Sequence, residues 1–185
     1  RYKFFKGDIS DKSTDENIIQ LSKPELIIHL AAETHVDQSI RLPEKFITSN
    51  IIGTFQLLQS SLDYFEKANK NIKEKFKFLH ISTDEVFGSL NQKGFFNENS
   101  KYNPRSPYSA SKASSDHLVN AWFHTFGLPC IITNCSNNYG PWQNPEKLIP
   151  NTISKALFNQ NIPIYGNGNN VRDWLFVDDH IDAIL

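Results

Sequence analysis

Phe78-Leu79-His80-Ile81-Ser82-Thr83-Asp84-Glu85 joins a short apolar run to a hydroxyl and two adjacent carboxylates. The run 78–82 reads as a buried strand, because strands covered on both faces of an α/β sheet are nearly continuous apolar stretches. Ligands of such sheets sit just beyond the carboxyl ends of the strands. Thr83, Asp84 and Glu85 therefore occupy the place where chemistry is expected. Two neighbouring carboxylates can be driven to different protonation states, one serving as acid and the other as base.

Working outward, a second strand is expected over 26–30, led in by Pro24. A helix pattern follows over 43–68, with apolar residues at Phe46, Ile47, Ile51, Phe55, Leu58, Leu62 and Phe65. The lysine-rich segment 69–77 reads as a solvated connection rather than a basic binding patch, since Glu66 and Glu74 interrupt its charge. Beyond the strand at 78–82 a polar loop runs to Ser106. A long helix is expected over 107–126, with Ser106 as cap, Pro107 in the first turn and Gly127 and Pro129 as stop signals. A strand at 130–134, a loop at 137–141, a helix at 147–159, a short strand at 162–165, a Gly/Asn loop and a strand at 174–177 complete the chain. Strands alternating with helices imply βαβ crossovers and a parallel sheet covered on both faces, with the C-terminal residues forming a lobe beside it.

The 185 residues suffice for a domain with a real core. With 39% hydrophobic and 21% charged residues, the composition argues against disorder. A formal net charge of −1 provides no field favouring nucleic acid or an anionic membrane, and the apolar runs are too short to span a bilayer. Cys130 and Cys135 fit neither a zinc site nor a disulfide framework and read as reduced thiols near a strand, which suits the cytoplasm. Six histidines form no metal-ligand set; His29 and His80, inside strand runs, read as core histidines. The chain has no Met and stops at Leu185 just after a helix-like pattern begins, so we expect a piece of a longer protein.

Three strand ends carry polar clusters: Ala31-Ala32-Glu33-Thr34-His35, Thr83-Asp84-Glu85 and Asn134-Cys135-Ser136-Asn137-Asn138. Strand ends need polar turn residues for structural reasons alone, but in a parallel sheet all three would meet at one crevice. Small side chains at Ala31 and Ala32 would let a ligand approach the backbone. Tyr108-x-x-x-Lys112 puts a phenol and an ammonium on one helix face. The ammonium favours the phenolate, so Tyr108 can act as a base below its usual pKa of about 10. The alternative is an interfacial aromatic beside a surface lysine, and Tyr2-x-x-x-Lys6 matches the spacing by chance. Arg172, beyond the loop 166–170, and Lys147 are either pyrophosphate-gripping cations or surface charges.

Gly7-Asp8-Ile9-x-Asp11, Leu30-Ala31-Ala32-Glu33-Thr34-His35-Val36-Asp37, Ser82-Thr83-Asp84-Glu85-Val86-Phe87-Gly88, Tyr108-x-x-x-Lys112, Asn134-Cys135-Ser136-Asn137-Asn138-Tyr139-Gly140-Pro141 and Arg172-Asp173-Trp174 occur in this order. Together they resemble the dTDP-glucose 4,6-dehydratase family of extended short-chain dehydrogenase/reductases, over essentially the whole chain. The Thr-Asp-Glu triplet is the most specific piece. The resemblance implies a Rossmann-like doubly wound parallel sheet, truncated at both ends. Its first strand and Gly-rich turn would lie upstream of Arg1. Residues 1–145 would form the NAD-binding domain and 146–185 would contribute to a nucleotide-sugar lobe.

It also implies a hydro-lyase holding NAD. Tyr108 would take the sugar 4-hydroxyl proton as hydride leaves C4, Lys112 would lower the Tyr108 pKa and bond the nicotinamide ribose, and Thr83 would hydrogen-bond the oxygen at C4. Glu85 would take the C5 proton and protonated Asp84 would donate to the departing 6-hydroxyl. Hydride would return to C6, giving the 4-keto-6-deoxy sugar. By the same resemblance Asp8 and Ile9 lie at the adenine, Leu30, Ala31, Ala32, Thr34 and Ser49 along the cofactor, and Asn138 nearer the nicotinamide. Asn137, Lys147 and Arg172 would hold the nucleotide sugar, with Thr34 touching both ligands. Thr34, Ser49 and Phe87 stand where Ser, Thr and Tyr are usual. The family is usually dimeric through a bundle of two long helices per subunit, for which 43–68 and 107–126 would serve. Rival readings are a nucleotide-sugar 4-epimerase or a UDP- or GDP-sugar dehydratase of the same fold, and a non-catalytic dinucleotide sensor.

Overall fold

A computed structural model of the chain describes residues 2–90, 94–164 and 166–185. The chain divides into two compact units, Arg1–Asn134 and Cys135–Leu185. In the first, the elements run α1 (Lys12–Ser22), β1 (Leu26–His29), α2 (Val36–Arg41), α3 (Pro43–Phe46), a π-helical segment (Ile47–Gly53), α4 (Thr54–Lys67), α5 (Lys70–Lys75), β2 (Lys77–Thr83), a 3-10 turn (Asp84–Phe87), α6 (Pro107–Phe126) and β3 (Cys130–Cys135), the last crossing the boundary. The second holds β4 (Asn137–Tyr139), α7 (Leu148–Leu157), β5 (Trp174–Phe176) and α8 (Val177–Ile184).

The sheet of the first unit has the order β1-β2-β3. β1 and β2 pair in parallel, Leu26 opposite Lys77 and His29 opposite His80. The start of β3 meets the start of β2, where the Phe78 amide donates to the Pro129 carbonyl at 2.8 Å, and its end meets the end of β2, where Asn134 Nδ2 donates to the Thr83 carbonyl at 3.2 Å. All three strands thus run the same way, and their carboxyl ends share one edge. The result is a Rossmann-like parallel sheet with helices packed on it, as its sequence leads one to expect.

Ile19 of α1, Leu58 and Leu62 of α4, Phe78 of β2 and Val119 and Trp122 of α6 join one buried cluster with Phe76 and Leu128. Helix α6 occupies the expected 107–126. The Ser106 side chain caps it, Ser109 reciprocates, and Gly127 ends it at φ 69°. A left-handed residue is the usual helix stop, and glycine enters that region without strain.

The expected helix over 43–68 is present, but seven residues of it widen into the π segment. A π turn carries an extra residue relative to the 3.6-residue repeat. The apolar stripe read from the sequence therefore breaks: Phe46, Leu58 and Leu62 are buried, whereas Ile47 and Phe55 are exposed. The segment 69–77 is not a bare connection. Asn69 caps α5 by accepting from the Ile72 amide at 3.0 Å, and Ile72 packs on the core. In the second unit, 137–141 is not all loop, since β4 pairs in parallel with β5, Asn138 opposite Leu175. Residues 162–164 carry no regular structure, and Tyr165, the end of the strand expected there, lies outside the described residues. Helix α1 is not among the elements expected above, although Asp11 gives a local start signal: its carboxylate accepts from the Ser13 amide at 3.0 Å.

Asp15 in the first turn of α1 is buried. Burial pushes its carboxyl from the ordinary 3.8 up to about 7, with the charges of Asp11 and Asp8 adding to the effect. The folded chain then keeps a proton that the unfolded chain releases near pH 4, so stability falls as pH rises from about 4 through about 7 and is level above. We expect Asp15→Asn to raise the melting temperature at about pH 8 and to leave it unchanged at about pH 4. Thermal unfolding followed by circular dichroism at the two pH values checks this; equal effects at both would refute it.

Candidate active site

The end of β2 is locked locally. Thr83 Oγ1 accepts from the Glu85 amide at 3.3 Å and donates to Asp84 Oδ1 at 3.3 Å. Its carbonyl accepts from Asn134 Nδ2. Asp84 and Glu85 open the 3-10 turn, which Gly88 closes at φ 88°. A Cβ on Gly88 would stand 2.5 Å from the Asn103 carbonyl oxygen, so only glycine fits both the angle and the space.

Helix α6 packs against β2 and this turn. Its capped start fixes Tyr108 in the first turn and Lys112 one turn further on. Both are buried, at 9% and 4% exposure. Lys112 Nζ donates to the Ile81 carbonyl at 2.9 Å and lies 3.5 Å from His80 Nε2. The Tyr108 ring stands edge-on to Phe46, centroids 6.3 Å apart. The fold thus brings the phenol, the ammonium, the hydroxyl and both carboxylates to the sheet edge and the first two turns of the helix beside it. Cys130 and Cys135 lie in β3 with no disulfide between them, and burial raises the Cys130 pKa to about 12. His29 and His80 are core residues, at 3% and 0% exposure, and burial lowers the pKa of both.

At the end of β1, Asn50 does what a neighbouring strand would do. Its Oδ1 accepts from the Glu33 amide at 2.8 Å and its Nδ2 donates to the Glu33 carbonyl at 3.0 Å. Nδ2 also donates to Ser111 Oγ at 2.8 Å, and Ser111 Oγ to the Tyr108 carbonyl at 2.7 Å. The π segment that carries Asn50 therefore sets the backbone between Ala32 and Thr34 and reaches the first turn of α6. Leu30, Ala31 and Thr34 are exposed here, with Ala32 and Ser49 half-buried. Ile9 seats on Gly53, where a Cβ would meet its side chain at 2.7 Å. Asp8 accepts from the Ser10 amide at 2.9 Å and hydroxyl at 2.8 Å, which holds its carboxyl below the ordinary range.

In the second unit, β4 carries Asn137 and Asn138. The Asn138 amide is pinned at both ends: Nδ2 donates to the Ser136 carbonyl at 3.0 Å and His180 Nδ1 donates to Oδ1 at 2.6 Å. Gln143 Nε2 closes on the Asn138 carbonyl at 2.9 Å. Lys147 stands at the start of α7 and Arg172 is exposed, one guanidinium nitrogen donating to the Val171 carbonyl at 3.0 Å. Asn50, Asp116, Gln143 and His180 were not singled out from the sequence. Asp116 had a signal, since it continues the four-residue spacing of Tyr108 and Lys112; the other three act through contacts that no local pattern reveals.

The family model described as GDP-mannose 4,6 dehydratase matches residues 1–185. The chain belongs to the GDP-mannose 4,6 dehydratase family. Within that family, curated relatives are dTDP-glucose 4,6-dehydratases. The enzyme of that name from Xanthomonas campestris pv. campestris (strain B100) is 52% identical over 181 residues, covering 98% of this chain and 52% of the relative. A dTDP-glucose 4,6-dehydratase from Streptomyces venezuelae, solved with NAD and TDP bound, superposes with a TM-score of 0.87 at 42% identity, over 96% of this chain and 52% of that one. A UDP-glucose 4-epimerase from Thermotoga maritima, solved with UDP-glucose, superposes equally well, TM-score 0.86, but at 30% identity, over 97% of this chain and 57% of that one. The chain spans about half the length of the curated relatives it matches. The same fold thus occurs in both a dehydratase and an epimerase.

Proposed function

We propose that the protein carrying this chain catalyses the NAD-dependent dehydration of dTDP-glucose to dTDP-4-keto-6-deoxyglucose. The observation that carries the reading is the Thr83–Asp84–Glu85 turn on the sheet edge, packed against the helix that holds Tyr108 and Lys112. Elimination across adjacent carbons needs one base and one acid, and an epimerase has no use for two carboxylates there. The identity to dTDP-glucose 4,6-dehydratases, well above that to the epimerase, supports the same choice.

The chain's residues suit NAD. Ala31 and Ala32 leave the end of β1 open to a ligand, and the exposed Asp8 carboxylate, kept ionised by Ser10, can accept from an adenosine hydroxyl or amine. Asp8, Ile9, Leu30, Ala31, Ala32, Thr34, Ser49, Tyr108, Lys112 and Asn138 would hold the cofactor, which when bound would supply an acceptor for the hydride from C4 and give it back to C6 after water is lost. In our reading Tyr108 accepts the proton of the sugar 4-hydroxyl, and the buried Lys112 ammonium stabilises the phenolate that accepts it. Thr83 holds the oxygen at C4. Glu85 removes the C5 proton, made acidic by the ketone at C4, and Asp84 protonates the leaving 6-hydroxyl, which departs as water. Asn137, Lys147, Arg172 and Thr34 bind the nucleotide sugar.

Residues 1–145 form the cofactor part of the enzyme in this reading and 146–185 contribute to the sugar lobe. The enzyme is cytoplasmic and a homodimer. Exposed Ile52 and Phe55 on one long helix and Phe123 and Phe126 on the other form an apolar face, tied together where Phe55 packs edge-on to Trp122 at 5.8 Å, and they support that pairing. No described helix is long and apolar enough to cross a membrane.

The test is mass spectrometry and proton NMR of the products made by the intact protein from dTDP-glucose, UDP-glucose and GDP-mannose. A product lighter by one water from dTDP-glucose, in preference to the other two, is expected. Interconversion of C4 epimers at unchanged mass would overturn the reading in favour of an epimerase, and binding of NAD with no conversion would overturn it in favour of a sensor.

A further inference from the structure

We infer that Asp116 is a positioning residue, which fixes the His80 imidazole in its Nε2–H form and thereby keeps the Lys112 ammonium directed at the Ile81 carbonyl. The catalytic consequence rests on the function proposed above; the protonation pattern of His80 does not.

Asp116 is 0% exposed and lies one turn beyond Lys112 on the same face of α6. Its Oδ2 accepts from Ser82 Oγ at 2.8 Å, from the Tyr102 hydroxyl at 2.9 Å and from Asn134 Nδ2 at 3.4 Å. Its Oδ1 lies 3.2 Å from His80 Nε2, within ion-pair reach but off the straight line that a hydrogen bond prefers. Asn134 Nδ2 is the same group that holds the Thr83 carbonyl. One carboxylate therefore joins α6, β2, β3 and the loop at Tyr102 directly beneath the sheet edge. Burying a carboxylate is costly, and a well-packed apolar side chain often serves stability as well or better. The charge needs a reason beyond packing.

That reason is the nitrogen between the two charges. His80 Nε2 lies 3.2 Å from Asp116 Oδ1 and 3.5 Å from Lys112 Nζ. A neutral imidazole nitrogen either carries a proton for the carboxylate or offers a lone pair to the ammonium. Burial keeps His80 neutral, Asp116 opposing and Lys112 reinforcing that effect. The carboxylate is the nearer partner and attracts the proton. His80 Nδ1 is buried without a hydrogen-bond partner among the described residues; an orphaned acceptor there is tolerated better than an orphaned N–H donor. Both considerations select Nε2–H. Lys112 then finds no lone pair at His80, and it donates to Ile81 at 2.9 Å instead. Without the carboxylate, His80 is free to move its proton to Nδ1 and draw the ammonium off the Ile81 carbonyl. The neighbouring His29 does not compete: its Nε2 donates to Thr54 Oγ1 at 2.9 Å, and that hydroxyl passes its own proton to the Asn50 carbonyl.

The test is made on the intact protein, labelled with 15N at histidine. The His80 ring shifts are expected to report Nε2–H in the wild type and Nδ1–H in Asp116→Asn. In the same variant the kcat for dehydration is expected to fall on the order of 10- to 100-fold, the loss typical of a reacting group misplaced by about an ångström, with KM changed less than about 3-fold. Tyr102→Phe removes a donor to Asp116 but not the charge; it is expected to lower the melting temperature while leaving the tautomer and kcat in place. Should Asp116→Asn fail to fold, His80→Gln, which cuts the relay with Asp116 intact, is expected to lower kcat to a similar extent. Nδ1–H in the wild type, or a folded Asp116→Asn with wild-type kcat, would overturn the inference. A wild-type protein that shows Nε2–H but dehydrates no sugar counts against the proposed function and leaves the tautomer assignment standing.

Discussion

Replacing Tyr108 by Phe is expected to reduce dehydration of dTDP-glucose by about 10²- to 10⁴-fold, the range for loss of a general base. The substitution keeps the ring and removes only the hydroxyl. The edge-on contact with Phe46 at 6.3 Å involves the ring alone and survives, as do the Ser106 cap and the Ser111 bond to the residue 108 carbonyl. The loss is expected to fall on kcat. Product formation by mass spectrometry, alongside circular dichroism melting, separates chemistry from stability. A rate within tenfold of wild type would remove Tyr108 from the mechanism and leave the proposed function without its base.

Glu85→Gln should produce a different failure. The side chain keeps its size, and the Glu85 amide still donates to Thr83 Oγ1, because that bond belongs to the backbone. The first oxidation, which the proposed function assigns to Tyr108 and Lys112, is expected to proceed. Elimination is expected to slow by about 10²- to 10⁴-fold, because no base remains for the C5 proton. Adding dTDP-glucose should then cause reduced nicotinamide absorbance to rise and persist, with little product lighter by a water. If Tyr108→Phe shows no such absorbance while Glu85→Gln does, the two steps are assigned to different residues. If Glu85→Gln forms product at the wild-type rate, the base at C5 lies elsewhere.

What the sequence disclosed, and what it hid, follows from the range of the forces involved. Helix α6 was legible to the residue because its limits are written locally, in Ser106, Pro107 and Gly127. The strand 78–82 was legible because burial on both faces leaves an unbroken apolar run. The three-residue β4 was not: its Asn-Asn-Tyr sequence reads as loop, and only pairing with the distant Trp174–Phe176 makes it a strand. The π segment was hidden for the opposite reason. Its apolar spacing fits an ordinary helix, and the extra residue in the turn shows only in which side chains turn inward. The site divides the same way. Thr83, Asp84, Glu85, Tyr108 and Lys112 are candidates that sequence position alone singles out, whereas Asn50 and His80 act across long stretches of chain on the Glu33 backbone and on Lys112.

The Asn50 clamp on Glu33 has a consequence for how this chain tolerates change in length. The clamp requires that one amide side chain at the middle of a seven-residue stretch arrive opposite a backbone that carries no fixed spacing to it. Deleting one residue between Ile47 and Asn50 would restore an ordinary helical repeat and, at about 100° per residue, swing the amide out of line with Glu33. The flanking helices would survive, and the sheet would still form. What would drift is the short peptide from Ala32 to Thr34, so the widened stretch works as a gauge block: a spacer of set thickness that decides where the peptide beyond β1 comes to rest.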